Sequence, residues 1–284
     1  MHTLPFERSS APACVLRSHA VVEVPLSEID ALRDAPVPMG APALPGRFLR
    51  HCDEQTVVGV RAVLEAIASL PEPLPSFARH GVIAAPRYAG RIAAAQTLAQ
   101  VAKAGGIAVS PHVVPQCSLH AMASAVSVAL GMHGPNLGAS GGPEALSEGL
   151  FTAVSMVHSV GCAGLWLVLS EWDEEPLLDD TGKPLADPLC RAVAVALGPA
   201  TAADAVTFTL GVADAGTRLD AAGVAGESGL ADFAWALGMC ANGGVIASWS
   251  HVCPWGAEIR IAAPSVAGSA LRPDARDLSR REAA

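Results

Sequence analysis

The chain has 284 residues, of which 51% are apolar, 16% charged and only 4% aromatic, with a net charge of −9. That length and apolar content support a sizeable core of small, closely packed side chains, as in a layered α/β domain, and argue against an aromatic-rich β barrel. The acidic balance, with no basic stripe, excludes nucleic acid and anionic membrane surfaces as partners, and no apolar run is long enough for a membrane span.

Residues 1–45 are rich in Pro and turn formers, with one strand pattern in "CVLRSHAVVEV". "DEQTVVGVRAVLEAIASL" (53–70) repeats apolar residues at helical spacing behind a capping Asp53, and "PEPLP" stops it. "HGVIAAP" reads as a short buried strand, and "AGRIAAAQTLAQVAKAGG" as a helix closed by Gly105-Gly106. Residues 117–134, "CSLHAMASAVSVALGMHG", read as an amphipathic helix with a glycine stop. After a glycine-rich turn, a helix is expected over 143–161 with Pro143 at its first position. "CAGLWLVLSEW" (162–172) has the near-continuous apolar character of a strand covered on both faces, and the acidic "DEEPLLDDTGKPLADP" is a loop. "LCRAVAVALG" and "AVTFTLGV" are further strands, and 226–243 is a helix. "GVIASWSHVCPWGAEIRIAAP" holds a strand pair around a Pro-Trp-Gly turn, and "DARDLSRREAA" is a charged, frayed end. This order describes an α/β chain with a layered sheet and no fixed-period repeat.

The seven cysteines are scattered, odd in number and free of any C-x-x-C, and "MHTLPFERSS" carries no leader pattern. A reduced, cytoplasmic setting follows, with most thiols acting as small buried hydrophobes.

The turn in "GPNLGASGGPEALSEGLF" (134–151) has three readings. As a serine hydrolase elbow, Gly138-Ala139-Ser140-Gly141-Gly142 fits G-x-S-x-G, with Asp173 or Asp179 and then His251 downstream. That elbow needs a strand running straight into the serine. The helix end "MHGPN" and a single Leu leave little room for one, and in a chain rich in Gly and Ala the match is cheap. As a phosphate loop, the turn lacks both G-x-x-x-x-G-K-[ST] and a strand-linked G-x-G-x-x-G; "VIAAPRYAGRI" puts Pro and Arg where glycines are needed.

The third reading is a resemblance. A helix ending in "LGMHGPN", the glycine turn, a helix closed by glycine and then "CAGLWLVLSEW" are similar to the first half of a β-ketoacyl synthase, of the thiolase-like condensing enzymes. "LPGRFLRHCDEQTVVGVRAVLEAI" resembles that family's early Arg-containing helix, "HGVIAAPRYAG" its following strand and "LCRAVAVALG" its late first-half strand. The resemblance spans about residues 45–200. It implies a thiolase-like layered α/β fold with an abridged second half: an N-terminal segment (1–45), a ketosynthase N-terminal-like domain (46–200), a shortened C-terminal portion of the same fold (201–265) and a flexible tail (266–284).

Condensing enzymes take their acyl chain on a cysteine at a helix N-terminus, where the dipole lowers the thiol pKa and N–H groups meet the oxyanion. Counted from Asn136 in the family register, that cysteine falls at Pro143, flanked by Gly142 and Glu144, and the nearest thiols in sequence are Cys117 and Cys162. Pro143 has no nucleophilic atom, and the Glu144 carboxylate suits the helix dipole without any catalytic role. The family's HGTGT-like loop is absent; only His251, beside Pro254-Trp255-Gly256, lies near the end. The resemblance therefore implies a non-condensing subunit of the chain-length-factor type in type II fatty acid, polyene or polyketide biosynthesis, with no cofactor and no metal. Its partner would be a β-ketoacyl synthase subunit or a second copy, met through residues 117–151. An acyl carrier protein is a further partner, although its acidity disfavours strong docking to so acidic a chain. The alternative is an acyl-handling hydrolase or acyltransferase using Ser140, or Cys253 with His251.

Alternation puts Trp249, His251 and Cys253 on one strand face, as an aromatic cap on the core or as a Cys–His pair in a pocket. His120 and His133 flank the Ala-rich helix as packed or capping side chains. Adjacent His51 and Cys52 are poorly placed to chelate one metal, and no H-x-x-H or H-E-x-x-H occurs. The run Glu171, Asp173, Glu174, Glu175 reads as a solvated loop in preference to a hard-cation site.

Overall fold

The computed structural model describes residues 13–264 apart from 112, 159–160, 201–204, 214–228, 243–245 and 247. The expected tail 266–284, the first twelve residues and the ends of the expected helix 226–243 lie outside the described residues.

Strands β1 (Ala13–Pro25), β2 (His80–Pro86), β3 (Asn136–Gly138), β4 (Gly164–Asp173), β5 (Leu189–Pro199), β6 (Thr207–Val212), β7 (Ser248–Val252) and β8 (Ala257–Ala262) form one sheet in the order β3-β2-β4-β5-β1-β6-β8-β7. Only the β3-β2-β4 end is parallel; from β4 to β7 every neighbour is antiparallel. β4 and β5 are buried on both faces, as their unbroken apolar runs require. Period-2 alternation divides them between two cores: Trp166 and Val168 face one side, Leu165, Leu167 and Leu169 the other.

Helix α2 (Glu54–Ala68) covers the first face. Val57, Val60, Val63, Leu64 and Ile67 are almost wholly buried there, each worth about 2 kcal/mol of transfer free energy. Its start is set by Asp53, whose carboxylate accepts from Thr56 N at 2.9 Å and Thr56 Oγ1 at 2.7 Å. Short α1 (Ile29–Asp34) packs on α2, and α3 (Arg91–Ala104), closed by Gly105, buries only Ile92.

The expected helix 117–134 is broken. A single turn, α4 (Val113–Gln116), is followed by a bend and then α5 (Ala121–Leu130), which Gly131 ends in the left-handed region at φ 60°. The bend is held against two glycines. A Cβ on Gly90 would lie 2.7 Å from the Cys117 Cα, and one on Gly138 would collide with the Leu119 carbonyl. Tertiary contact overrides helix propensity at this point.

The second face carries α6 (Ala145–Met156) and α7 (Leu230–Ala241). α6 begins two residues later than expected: Ala145 N donates to Gly142 O at 3.2 Å in a turn before the helix, so Pro143 stands outside it and Glu144 is the N-cap. α6 lies close on the sheet because Gly149 has no side chain; a Cβ there would sit 2.7 Å from Ala85 Cβ and 2.8 Å from Leu169 Cδ2.

The N-terminal segment is a structural centre: β1 lies between β5 and β6, pairing with β5 along its length. The portion after residue 200 contributes β6, α7 and the β7–β8 hairpin, which extend the same sheet. Among the described residues no helix is long and apolar enough to cross a membrane.

Candidate functional site

The glycine turn sits at the C-terminal end of the parallel strands. β3 pairs with β2 through Val82, Ile83 and Ala84, Ala139 N donates to Ala84 O at 2.8 Å, and Tyr88 N donates to Gly141 O at 3.1 Å. A short strand therefore does lead into the turn that holds Ser140, although the sequence left little room for one: β3 needs only three residues because β2 and α5 both hold it. Ser140 is left-handed at φ 64°, a conformation that costs a non-glycine residue. The imidazole the elbow needs is elsewhere: among the described residues no hydrogen bond joins Ser140 to His251. Asp173 pairs with Arg191, and Asp179 accepts from Thr181 and Lys183 within its own turn, so neither completes a triad.

Gly142, Pro143 and Glu144 form the tip of α6. Pro143 is exposed and Glu144 half-buried. From this tip the chain reaches the β7–β8 hairpin through a residue the sequence reading passed over. Ser147, one turn into α6 and buried, has its Oγ 2.8 Å from His251 Nε2 and 3.3 Å from Glu144 Oε2. If the hydroxyl donates to Glu144, His251 donates to Ser147; if it donates to His251, Nε2 accepts. Burial pushes the His251 pKa down, which keeps the ring neutral near neutral pH. The carboxylate touches the serine and not the imidazole, unlike a triad in which it orients the base.

Trp249, His251 and Cys253 do share the inward face. Trp249 stacks on His251 with ring centroids 5.8 Å apart and tilts against Phe233 at 5.6 Å, while Trp255 meets Phe151 edge-on at 5.9 Å. Cys253 is buried, its Sγ 3.9 Å from the Ser147 carbonyl, and burial pushes its thiol up to about 11. The imidazole is thus spent on Ser147, and the thiol beside it is held protonated. Only the spacing of Glu144 and Ser147, three apart on one helix, offered a sequence signal for this cluster; its partner His251 is 104 residues away.

Five further thiols follow the same physics. Burial raises Cys14 to about 12 and Cys52 to about 11, and raises Cys117, Cys190 and Cys240 as well. A nucleophilic cysteine needs the opposite shift. Neither flanking histidine is packed: His120 is exposed at the start of α5 with no capping bond, and His133 is exposed.

The acidic run is not a solvated loop throughout. Glu171 and Asp173 belong to β4 and, with Glu23 of β1, surround Arg191 of β5 at 3.3, 3.2 and 2.5 Å. Arg87 approaches Glu171 at 3.8 Å, and Arg91 approaches Glu175 at 3.4 Å. Arginines already neutralise these carboxylates, and no group of three metal-ligating side chains occurs among the described residues. One arginine inside an otherwise apolar strand was the sequence signal for this network, because a charge there requires partners.

No protein-family model matches the chain, and no curated protein matches it by sequence. Solved structures do match. A chain of "AntDE:AntF (apo): type II PKS acyl-carrier protein in complex with its ketosynthase bound to the hexaketide" aligns over 89% of this chain and 99% of its own, at 13% identity and a TM-score of 0.56. A chain of the ketosynthase ApeO in complex with its chain length factor ApeC, from Xenorhabdus doucetiae, aligns over 87% of this chain and 99% of its own, at 13% identity and a TM-score of 0.49. A chain of the ishigamide ketosynthase/chain length factor aligns over 70% of this chain and 67% of its own, at 15% identity and a TM-score of 0.46. At such identities the likeness speaks for the fold, and the first of these matches gives this chain the thiolase-like, ketosynthase-type α/β architecture.

Proposed function

We propose that this chain is a non-condensing partner subunit of a β-ketoacyl synthase in type II fatty acid, polyene or polyketide biosynthesis. One observation carries the reading: the tip of α6, where the resembled family holds its attacking thiol, is built from Gly142, Pro143 and Glu144, with no sulfur among them. The raised thiols support it, because condensation needs a thiolate. The AntDE:AntF complex, an acyl-carrier protein with its ketosynthase, supports the pathway class.

The partner meets the β3 end of the sheet. Among the described residues β3 is an edge strand with one side unpaired, and Leu119, Leu137 and Val128 on this part of the chain are exposed by 41%, 40% and 71%. An edge of this kind invites a further strand. Co-expression with ketosynthases from the same gene neighbourhood tests this. The expected result is a one-to-one complex that Leu137→Asp disrupts without lowering the chain's own melting temperature. A strictly monomeric chain in every pairing contradicts it.

A second reading, an acyl-handling hydrolase or acyltransferase, draws on the short Ser147–His251 contact. A fluorophosphonate probe separates the two: the partner-subunit reading predicts no labelling, and stoichiometric labelling of Ser147 favours the hydrolase.

A further inference from the structure

The segment between α1 and α2 folds over a cavity of about 380 Å³, far from the α6 tip in sequence and lined by Arg33, Arg47 and Arg61 together with Val37, Leu44 and Phe48. Asp34 is the one carboxylate in the lining, which leaves two positive charges in excess within a chain whose net charge is −9. The volume falls within the range of small-molecule sites, about 300–1,000 Å³, which combine apolar walls with a few placed charges.

Arg61 is the buried charge. It rises from α2 and is 4% exposed. Nη1 donates to Pro36 O at 3.0 Å and Nη2 to Ala35 O at 2.5 Å and Arg33 O at 3.4 Å, while Nε, also buried, meets no acceptor among the described residues. Arg61 forms no ion pair among the described residues; the carboxylates of Glu65 and Asp34 favour its charge only from beyond contact. A guanidinium withdrawn from water is costly unless an opposite charge answers it, and carbonyl dipoles answer it in part only. Arg33 is placed similarly: Nη1 is given to the carbonyls of Leu49 and Cys52, its one ion-pair partner among the described residues, Asp30, is almost fully exposed, and the Asp53 and Glu54 carboxylates act on it from farther away. Arg47 stands exposed at the rim, its backbone left-handed at φ 63°, a cost for any residue but glycine. Three arginines and three apolar side chains lining one cavity give it the composition of a site for an amphipathic anion. Arg suits an oxyanion head because its planar donors match carboxylate and phosphate oxygens.

We propose that this cavity binds a small organic oxyanion, a carboxylate or phosphate head on a short apolar body, with the head against Arg33, Arg47 and Arg61 and the body against Val37, Leu44 and Phe48. The site is independent of the partner-subunit reading and stands or falls separately from it.

The test is calorimetric titration and thermal shift of the full chain at low salt with hexanoate and hexyl phosphate, compared with inorganic phosphate and hexylamine. Both hexyl anions are expected to bind saturably and to raise the melting temperature. Inorganic phosphate should bind about tenfold more weakly for want of an apolar body, and hexylamine should not bind. Arg47→Gln, at an exposed rim position, should weaken both hexyl anions by about tenfold and leave the unliganded melting temperature unchanged. Arg61→Gln should weaken them further; because it also removes the ties to residues 35 and 36, the rim variant decides. No saturable binding of either hexyl anion, equal binding of hexylamine, or unchanged affinity in Arg47→Gln overturns the site. Equal affinity for inorganic and hexyl phosphate overturns its apolar half.

Discussion

Replacing Arg191 with methionine removes the charge at the middle of the sheet while keeping an unbranched side chain of comparable reach. Arg191 lies across from Glu23 on β1 and from Glu171 on β4, and its side chain is 8% exposed. Glu23 and Asp173 are about half exposed, so water takes over from the guanidinium, and each loses roughly 0–1 kcal/mol. Glu171 is different: at 13% exposed it keeps Arg87, at 3.8 Å, as its one ion-pair partner among the described residues, beside the Leu230 N–H. Stranding one member of a buried pair costs about 3–5 kcal/mol, and the remaining arginine reduces this. A net loss of about 2–4 kcal/mol follows, which lowers the melting temperature of a chain this size by about 3–7 °C. Burial already raises the Glu171 carboxyl above its ordinary value, against the pull of Arg191 and Arg87. Between the ordinary and the raised value the folded chain holds a proton that the unfolded chain has released, so stability falls as pH rises through that window. Losing Arg191 raises the carboxyl further, so the deficit of the variant should be larger at about pH 7 than at about pH 5. Adding Glu171→Gln should recover part of it. Thermal melts by circular dichroism at both pH values read the effect. A melting temperature within about 1 °C of the native chain at both, or a deficit larger at acid pH, refutes this reasoning.

Asp53→Ala should cost about 1–3 kcal/mol in the same melts, since it removes the α2 cap and leaves the buried Thr56 hydroxyl without its acceptor, whereas Asp53→Asn should retain most of the stability. Gly149→Val should cost about 1–3 kcal/mol or more by forcing α6 away from Ala85 and Leu169, visible as lost expression or a lowered denaturant midpoint. The His251 pKa is depressed by burial, so the stability of its neutral form is present above its ordinary value and is lost as pH falls from there toward the depressed value; His251→Gln should flatten that acid-side slope in melts across the window.

The elements that local pattern controls were readable from the chain. α2 shows helical periodicity behind Asp53, and β4 and β5 show the unbroken apolar runs of doubly covered strands. What distant contacts control was not readable. The break at 117–120 follows from Gly90 and Gly138, which admit the backbone of Cys117 and Leu119, and nothing within 117–134 announces it. β3 is a strand because β2 lies beside it, and three residues carry too little pattern to reveal that. The family register pointed to Gly142, Pro143 and Glu144, which lie at the start of α6, although Pro143 stands outside the helix it was expected to open. The use of His251 could not be picked out in advance, since its nearest chemical partner proved to be Ser147, a residue of ordinary appearance on a helix face. Arg191 stood within reach of sequence reasoning, but its three carboxylates come from two other strands.

The most direct measurement of whether this chain can condense is its intact mass after incubation with an acylated carrier protein, followed by peptide mapping of all seven cysteines. The partner-subunit account predicts an unchanged mass. Stoichiometric transfer of the acyl group to any one thiol contradicts it.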